Sequence, residues 1–396
     1  MADLNELSAQ EIGRRLKLSR ENAAIRQADA AQDVGLSRPT LVAIEKGERR
    51  IRMEELQALA RLYGVSVNAI LRREAVHTDL VPRFRKLQQT ESKDVVQAVQ
   101  YLNDLIRADV ELENVLGIVR RRHYPPEKGI SQGSVTELAE QHAQALRDWL
   151  GLGPGPIADI FSVIEYGLGI RLYQRRLSSS SKVAGLFAYD EAVGACILLN
   201  ANHPLQRRIQ SAAHELGHFY GTRQVAEVLE DDEVFQSRDE RYANAFGYAF
   251  LTPSSSFSEA FGRLKAITGK ITRRLVILLA HEFNISRQAC VLRMEELGLA
   301  KKGTWAWFEN NGRIRDEHAR EVLGEMYLRA DPVKSDADRP VSHRMSLMAH
   351  AAWKRDLMSE GQLAELLKVS RVELRRIVDQ IELEDSDVDD LRKLPE

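Results

Sequence analysis

Cysteine is scarce in this chain of 396 residues, which contains only Cys196 and Cys290. The two lie far apart in sequence and in apolar surroundings, so we expect buried, reduced thiols and no disulfide framework. Net charge is also nearly absent, because 56 basic residues face 58 acidic ones. This balance argues against a protein that coats nucleic acid and against a polybasic membrane anchor.

Long apolar runs and a leader segment are missing as well. No stretch of about twenty apolar residues marks a membrane span, and Met1–Ser8 is mixed and acidic rather than basic and then apolar. We therefore expect a cytoplasmic protein with no membrane association. The length of the chain and its 44% hydrophobic content allow two or three domains with real cores.

The most informative motif that is present is His214-Glu215-Leu216-Gly217-His218. Two histidines four apart lie on one face of a helix, where both imidazoles reach one ion. Glu215 projects beside them, where its carboxylate takes a proton from water rather than binding the metal. Zinc would lower the pKa of a bound water to about 7, which makes hydrolysis feasible at neutral pH. The alternative is a surface helix that carries two unrelated histidines.

A catalytic zinc needs a third protein ligand, and the sequence offers one downstream. Glu240, Ala243, Asn244 and Gly247 share one face of a predicted helix that ends at Pro253. We predict Glu240 as the third ligand and Asp239, rotated by about 100° on that helix, as the alternative. Zinc suits this set, although two histidines and a glutamate also accept Mn²⁺ or another divalent ion. Taken alone, Glu240 would be an ordinary acidic residue at a helix start.

Several motifs in order make the segment from about Ser134 to Ala300 resemble the ImmA/IrrE metallopeptidase domain. They are Gly153–Pro156 before an apolar helix, the stretch Val183–Asn200, the histidine motif, and Glu240-x-x-Ala243-Asn244-x-Phe246. The resemblance implies a zincin-like peptidase. It also implies that the strand before the metal helix, Ala195–Asn200, binds an extended substrate. This run reads as a strand by itself and can form a hairpin with Val183–Tyr189.

A second signal lies between Ile12 and Leu71, where apolar residues recur at helical spacing in short segments. Arg26–Ser37 reads as a helix and a tight turn, and Ser37 then caps a helix that starts at Arg38. This order is typical of a helix-turn-helix. The region resembles the Cro/repressor-like XRE domain, which implies a bundle of five helices that binds an operator in double-stranded DNA.

In such a domain the start of the second helix enters the major groove. We therefore expect Arg38, Thr40 and Ala43 to face base edges. Phosphate contacts are predicted for four further residues: Gln27, Ser37, Lys46 and Arg49. Residues 1–73 carry roughly thirteen basic against ten acidic residues, so a lone copy should bind weakly and we predict a homodimer. The alternative is a helix-turn-helix that only holds another protein.

These signals predict a mainly α-helical α+β protein with a small mixed or antiparallel sheet. The predicted parts are a DNA-binding domain (1–75), a helical linker (76–130), the zinc domain with a helical subdomain (131–300), and a helical carboxy-terminal region (301–396). A stripe from Val95 to Ile106 favours packing on a neighbouring domain over dimerisation. Helix-turn-helix patterns recur at 275–293 and 360–377, where packing or protein interaction is more plausible than DNA binding, and the chain is expected to end in a disordered acidic tail, 382–390.

Three functions follow from these features. In the first, the zinc domain cleaves a repressor protein, or this chain itself, and so controls transcription in a stress or mobile-element response. In the second, the zinc fold senses a ligand and only changes DNA affinity. In the third, the chain is an antitoxin-like or phage-type repressor that binds a partner. Glu215 favours proteolysis, because a sensor has no use for a general base. Tyr242 and His281 are available candidates for stabilising an oxyanion.

Overall fold

The computed structural model describes residues 9–23, 25–65, 67–71, 93–230, 237–324 and 341–391. Its internal contacts divide the chain into two compact units, Met1–His77 and Thr78–Glu396. The predicted fold class, mainly helical with a small mixed sheet, is confirmed. The finer boundaries drawn from the sequence remain predictions.

The described part of the first unit is a bundle of short helices: α1 (Ala9–Asn22), α2 (Gln27–Asp33), α3 (Arg38–Glu45), α4 (Met53–Leu62) and α5 (Val67–Leu71). Leu16, Leu41 and Leu59 are fully buried at its centre. Gly13 allows α1 to lie directly on α3, because a side chain there would overlap the carbonyl oxygen of Ile44. The five predicted helices are therefore present, and their apolar faces form one core.

The second unit combines helices with one sheet. Its elements in chain order are α6 (Lys93–Leu116), α7 (Val135–Leu150), α8 (Ile160–Ser162) with a π-helical turn (Val163–Leu168), β1 (Arg171–Arg175), β2 (Val183–Asp190), β3 (Gly194–Asn200), α9 (Leu205–Gly221), β4 (Glu227–Glu230), α10 (Arg238–Leu251), α11 (Ser254–Thr268), α12 (Arg273–Glu282), α13 (Arg287–Glu296), α14 (Thr304–Asn310), α15 (Asp316–Leu323), α16 (His343–Lys354), α17 (Glu360–Leu367) and α18 (Arg371–Leu391).

The four strands form a mixed sheet in the order β1-β3-β2-β4. β3 runs parallel to β1 and antiparallel to β2, which confirms the predicted hairpin. All seven residues of β3 are buried. Because both edges of β3 are already paired, the expected binding of an extended substrate along Ala195–Asn200 is wrong: no backbone groups remain for a further strand. The strands with one paired edge among the described residues are β1, which pairs with β3, and β4, which pairs with β2.

Helix α9 lies between the sheet and α10, and its contact with α10 is unusually close. A side chain at Gly217 would lie 2.8 Å from the Cα atom of Ala243, and one at Gly247 would lie 3.1 Å from the backbone nitrogen of His214. Two glycines, one on each helix, therefore remove the side chains that would hold the backbones apart. Phe219, Phe246 and Phe250 fill the core around this contact and are fully buried.

A buried ion cluster joins α6 to the sheet. Arg171 on β1 donates to Asp109 at 2.7 Å and to Glu113 at 2.6 Å. Arg120 donates to the same two carboxylates at 2.8 and 2.9 Å. Arg344 on α16 lies 3.1 Å from Asp109 and 2.9 Å from Glu113. Burial alone would raise the pKa of Asp109, but the arginines around it outweigh burial and hold that pKa below its ordinary value.

The apolar stripe that starts at Val95 lies on α6, where Val99, Leu102 and Ile106 are buried. Helix α6 packs on α16, α17 and β2 within the same unit. This is the packing arrangement that the sequence favoured over a dimerisation helix. Both later helix-turn-helix patterns are also present, as the pairs α12–α13 and α17–α18.

One expectation for the end of the chain was wrong. The acidic segment 382–390 is helical in its backbone, because α18 continues to Leu391. Acidic side chains alone do not prevent the continuation of a helix whose first part, 371–381, is amphipathic and buries Leu374, Ile377 and Ile381. Among the described residues no single helix is long and apolar enough to cross a membrane. Helices α12 and α13 reach that length and composition only together, with a bend of 97° between them.

The ion cluster predicts a large effect for one substitution. Arg171→Met keeps much of the side-chain length but removes one hydrogen bond from each of the two buried carboxylates, so we expect the free energy of unfolding to fall by about 3–5 kcal/mol. The exposed pair Arg263–Glu282 offers a matched control, and Arg263→Met should cost less than about 1 kcal/mol. Urea unfolding of both variants measures the difference. Equal effects would contradict this account of the cluster.

Candidate metal centre and DNA-binding face

The two histidines are placed by α9. This helix starts after Pro204, and its buried face carries His214 and His218 one turn apart, as the spacing predicts. Glu240 lies in the first turn of α10, where its backbone nitrogen donates to the Ser237 hydroxyl at 3.0 Å. That cap fixes the start of α10 and so the point from which the glutamate side chain projects.

The three side chains meet in one group. The Nε2 atoms of His214 and His218 are 3.1 Å apart. Glu240 places Oε2 at 3.2 Å from His214 Nε2 and Oε1 at 3.3 Å from His218 Nε2. Among the described residues these three side chains form the group of donors that could hold a metal ion. Asp239, the alternative ligand, is not part of the group.

These distances fit a zinc ion. Four ligands placed tetrahedrally at about 2.0–2.1 Å from zinc are separated from one another by about 3.3–3.4 Å. The separation of the two imidazole nitrogens, 3.1 Å, lies close to an edge of such a tetrahedron. Glu240 places a different oxygen near each imidazole nitrogen, at 3.2 and 3.3 Å, and one donor atom from each of the three residues lies within 4.8 Å of the others. Two imidazole nitrogens and one carboxylate also form a donor set that catalytic zinc uses. The residues present therefore fit the ion, and a fourth position is left for another ligand.

The protonation states suit metal binding too. Burial lowers the pKa of His214 to about 4, against the opposing effect of Glu240, so its imidazole is neutral at pH 7. Burial alone would raise the pKa of Glu240, but hydrogen bonds from His214 and His218 outweigh it and lower that pKa to about 2. A neutral imidazole and an ionised carboxylate are the forms that bind a cation.

A residue that the sequence analysis missed lies behind His218. The Nδ1 atom of His218 is 3.2 Å from the hydroxyl of Thr222. If Nδ1 donates its proton to this hydroxyl, the lone pair of the ring lies on Nε2, which faces the other two ligands. The signal in the sequence is weak, since a threonine four residues after a histidine is common. We identify Thr222 as the residue that orients His218.

Glu215 is fully buried on α9. Its carboxylate lies against strand β2 at Gly185, where an added side chain would overlap Oε1. Tyr242 and His281, the two candidates for oxyanion stabilisation, have other contacts. The hydroxyl of Tyr242 is hydrogen bonded to His142 Nδ1 at 2.7 Å, and His281 is exposed near the end of α12.

In the first unit, α3 presents the residues that we expect to face bases. Arg38 is exposed, while Thr40 and Ala43 are half-buried. Ser37, predicted to contact phosphate, caps α3 by accepting from the Thr40 backbone at 3.3 Å and lies 2.8 Å from the Thr40 hydroxyl. Lys46, just after α3, is exposed. The assignment of these residues to DNA contacts stays a prediction.

The other two predicted phosphate contacts have partners inside the domain. Gln27 donates to Glu45 at 2.7 Å, and Glu45 is itself held by Arg20 at 2.7 and 3.1 Å. Arg49 makes two hydrogen bonds to Glu55, at 2.8 and 2.9 Å. Lys46 lies 3.9 Å from the carboxylate of Glu48, and both side chains are exposed. Arg38, which is exposed, and Lys46 are therefore the predicted cations not held by a close hydrogen bond inside the domain.

Two family models match segments of the chain. Residues 167–295 match the family model described as IrrE N-terminal-like domain, a peptidase family, and residues 11–73 match a model described as helix-turn-helix domain. The predicted fusion of a helix-turn-helix with an ImmA/IrrE-type domain is confirmed. This combination of domains is that of a DNA-binding regulator. A search of curated protein sequences finds no match.

Solved structures give only weak likenesses. ComR from Streptococcus suis is 12% identical over 97% of this chain and 97% of its own, with a TM-score of 0.16. PlcR from Bacillus thuringiensis, solved with the peptide PapR7 and DNA, is 12% identical over 96% and 98%, with a TM-score of 0.16. The apo form of the competence regulator ComR from Streptococcus vestibularis is 14% identical over 84% and 97%, with a TM-score of 0.17. Scores this low establish no shared fold.

The contact between His218 and Thr222 predicts a change in metal affinity. Thr222→Val keeps the shape of the side chain but removes the hydroxyl, so we expect zinc affinity to fall by about 10–100-fold. Thr222→Ser keeps the hydroxyl and should bind zinc as the parent does. Competition against a zinc-chelating dye measures both variants. An unchanged affinity in Thr222→Val would remove this residue from the site.

Proposed function

We propose that this chain, a helix-turn-helix domain joined to an IrrE N-terminal-like domain, is a transcriptional regulator with a zinc-dependent peptidase activity. Its substrate is a repressor protein or a segment of the chain itself. The observation that carries this proposal is the set of three donor separations, 3.1 to 3.3 Å, next to a buried glutamate on the same helix. The regulator would act in the cytoplasm, where its DNA is.

Each residue of the site has a distinct task. His214, His218 and Glu240 would hold the ion, which when bound polarises the scissile carbonyl and lowers the pKa of water. Glu215 accepts a proton from the attacking water and passes it to the amine that leaves. Its burial removes competing water from the carboxylate, which strengthens its interaction with the reacting atoms. A general base of this kind contributes about 10²–10⁴-fold to the rate.

The helix-turn-helix would bring the peptidase domain to a specific DNA site. Arg38, Thr40 and Ala43 at the start of α3 would read the bases of an operator, and a homodimer would engage two half-sites. A peptidase joined to a DNA reader meets a substrate protein on the same DNA at a raised effective concentration. Cleavage would then be confined to repressors bound near the operator.

One observation favours a second candidate function. His214, Glu215, His218 and Glu240 are all at most 7% exposed, and a peptide must reach the ion to be cut. A zinc site that is closed to substrate usually stabilises a fold. The alternative is therefore a regulator in which zinc holds the domain together and a ligand or partner protein changes the affinity for DNA.

Glu215→Gln separates the two functions. The amide keeps the size of the side chain but accepts no proton, so we expect zinc binding to be retained and cleavage to fall by at least about 10²-fold. The assay incubates the zinc-loaded protein with co-encoded repressors, and also alone, and follows fragments by mass spectrometry. Glu137→Gln, at an exposed position on α7, is the control and should cut like the parent. Cleavage that persists in Glu215→Gln would remove Glu215 from its role, and no cleavage by the parent would favour the sensor.

Arg38→Ala tests the DNA-binding face. A bidentate contact from arginine to guanine is worth about 1–3 kcal/mol, so operator affinity should fall by about 5–150-fold. The operator is first selected from random-sequence DNA with the parent protein, and binding is then measured by gel shift at fixed salt. Arg61→Ala on α4 removes the same charge elsewhere in the domain and should change binding much less. Unchanged binding by a folded Arg38→Ala protein would contradict the assignment.

A further inference from the structure

Strand β2 has one residue without a side chain where it passes α9. Gly185 lies between Ala184 and Leu186, both fully buried, in a strand that otherwise carries side chains. A glycine inside a strand weakens it, so it usually marks a bulge or a close approach. The pairing of β2 with β4 does shift register between Val183 and Gly185. Gly185 is nevertheless absent from the residues with positive φ, so this irregularity does not require glycine. The reason for this glycine lies in its surroundings.

Those surroundings are the side chain of Glu215. A Cβ atom at position 185 would overlap Oε1 of Glu215 and would lie 3.3 Å from its Cδ atom and 3.4 Å from its Cγ atom. All three nearest atoms belong to this one side chain. The space that a side chain on β2 would fill is therefore occupied by the carboxylate of Glu215.

The same substitution elsewhere would meet a different obstacle. At Gly217 and Gly247 the nearest atoms belong to the backbone of the facing helix, so a side chain there would push α9 and α10 apart. At Gly185 the obstacle is the far end of a side chain with three rotatable bonds. Glu215 has no exposed surface, so a methyl group would force its carboxylate into a different buried position.

We propose that Gly185 is a positioning residue for Glu215: the missing side chain lets the carboxylate rest on strand β2 and fixes the general base beside the two histidines. The role of Glu215 as a general base rests on the proposed function. The packing of Glu215 against Gly185 is independent of that function. A misplacement of about 1 Å costs on the order of 10²-fold in rate. The ligand atoms of His214, His218 and Glu240 are not among the atoms nearest to position 185.

A thermal-unfolding cycle tests the packing without any activity. Gly185→Ala is made in three backgrounds: the parent, Glu215→Gln and Glu215→Ala. We expect a fall in Tm of about 5 °C in the parent and in Glu215→Gln, because the amide has the size of the carboxylate. In Glu215→Ala the obstacle is gone, so Gly185→Ala should leave Tm unchanged or raise it. Gly262→Ala on α11, where an added methyl meets no atom within 4 Å, is the control and should not lower Tm.

The second part of the test separates positioning from general damage. Zinc-loaded Gly185→Ala should bind zinc within about threefold of the parent, since the ligands stay in place. Its kcat should fall by about 10²-fold with KM changed less than about twofold, because only the base has moved. A fall in Tm that persists in Glu215→Ala, or a joint loss of zinc, would overturn the proposal. If the parent cleaves nothing, the proposed function fails while the unfolding cycle still decides whether Gly185 holds Glu215.

Discussion

The close contact between α9 and α10 is the constraint on which the metal centre depends. Two ligands are on one helix and the third is on the other, and their donor atoms meet at 3.1 to 3.3 Å only if the two backbones nearly touch. Gly217 and Gly247 make that approach possible, since each faces backbone atoms of the other helix. The site is thus a property of a helix pair, and the phenylalanines packed around it hold the pair in register.

The protonation states of His214 and Glu240 also favour metal binding. Burying three polar side chains is costly unless they satisfy one another. Here the imidazole of His214 is driven towards its neutral form and Glu240 towards its ionised form, so the group carries the charges that a cation needs before any ion arrives. Thr222 also orients His218, because its hydroxyl lies 3.2 Å from Nδ1, the ring nitrogen that does not face the other two ligands. Preorganisation of this kind reduces the reorganisation that binding would otherwise require.

Local patterns in the sequence predicted local features well. The spacing of His214 and His218, the helical face of Glu240 and the capping role of Ser37 all depend on residues within a few positions of one another. Features that depend on distant parts of the chain were missed or wrong. The strand order puts β3 in the middle of the sheet, which no pattern within Ala195–Asn200 reveals. Gly185 and Glu215 are thirty positions apart, and Arg171 and Asp109 are sixty-two apart, so their contacts follow from the fold alone.

The ion cluster around Arg171 on β1 also determines which fragment of this chain would keep its buried charges paired. A fragment that began at residue 131, the start of the zinc domain predicted from the sequence, would contain Arg171 but neither Asp109 nor Glu113. Its first strand would bury a guanidinium with no counter-ion, and a fragment that stopped at residue 300 would also lack Arg344. A piece that keeps the whole cluster therefore reaches from α6 to α16, because both carboxylates and two of the three arginines lie outside residues 131–300.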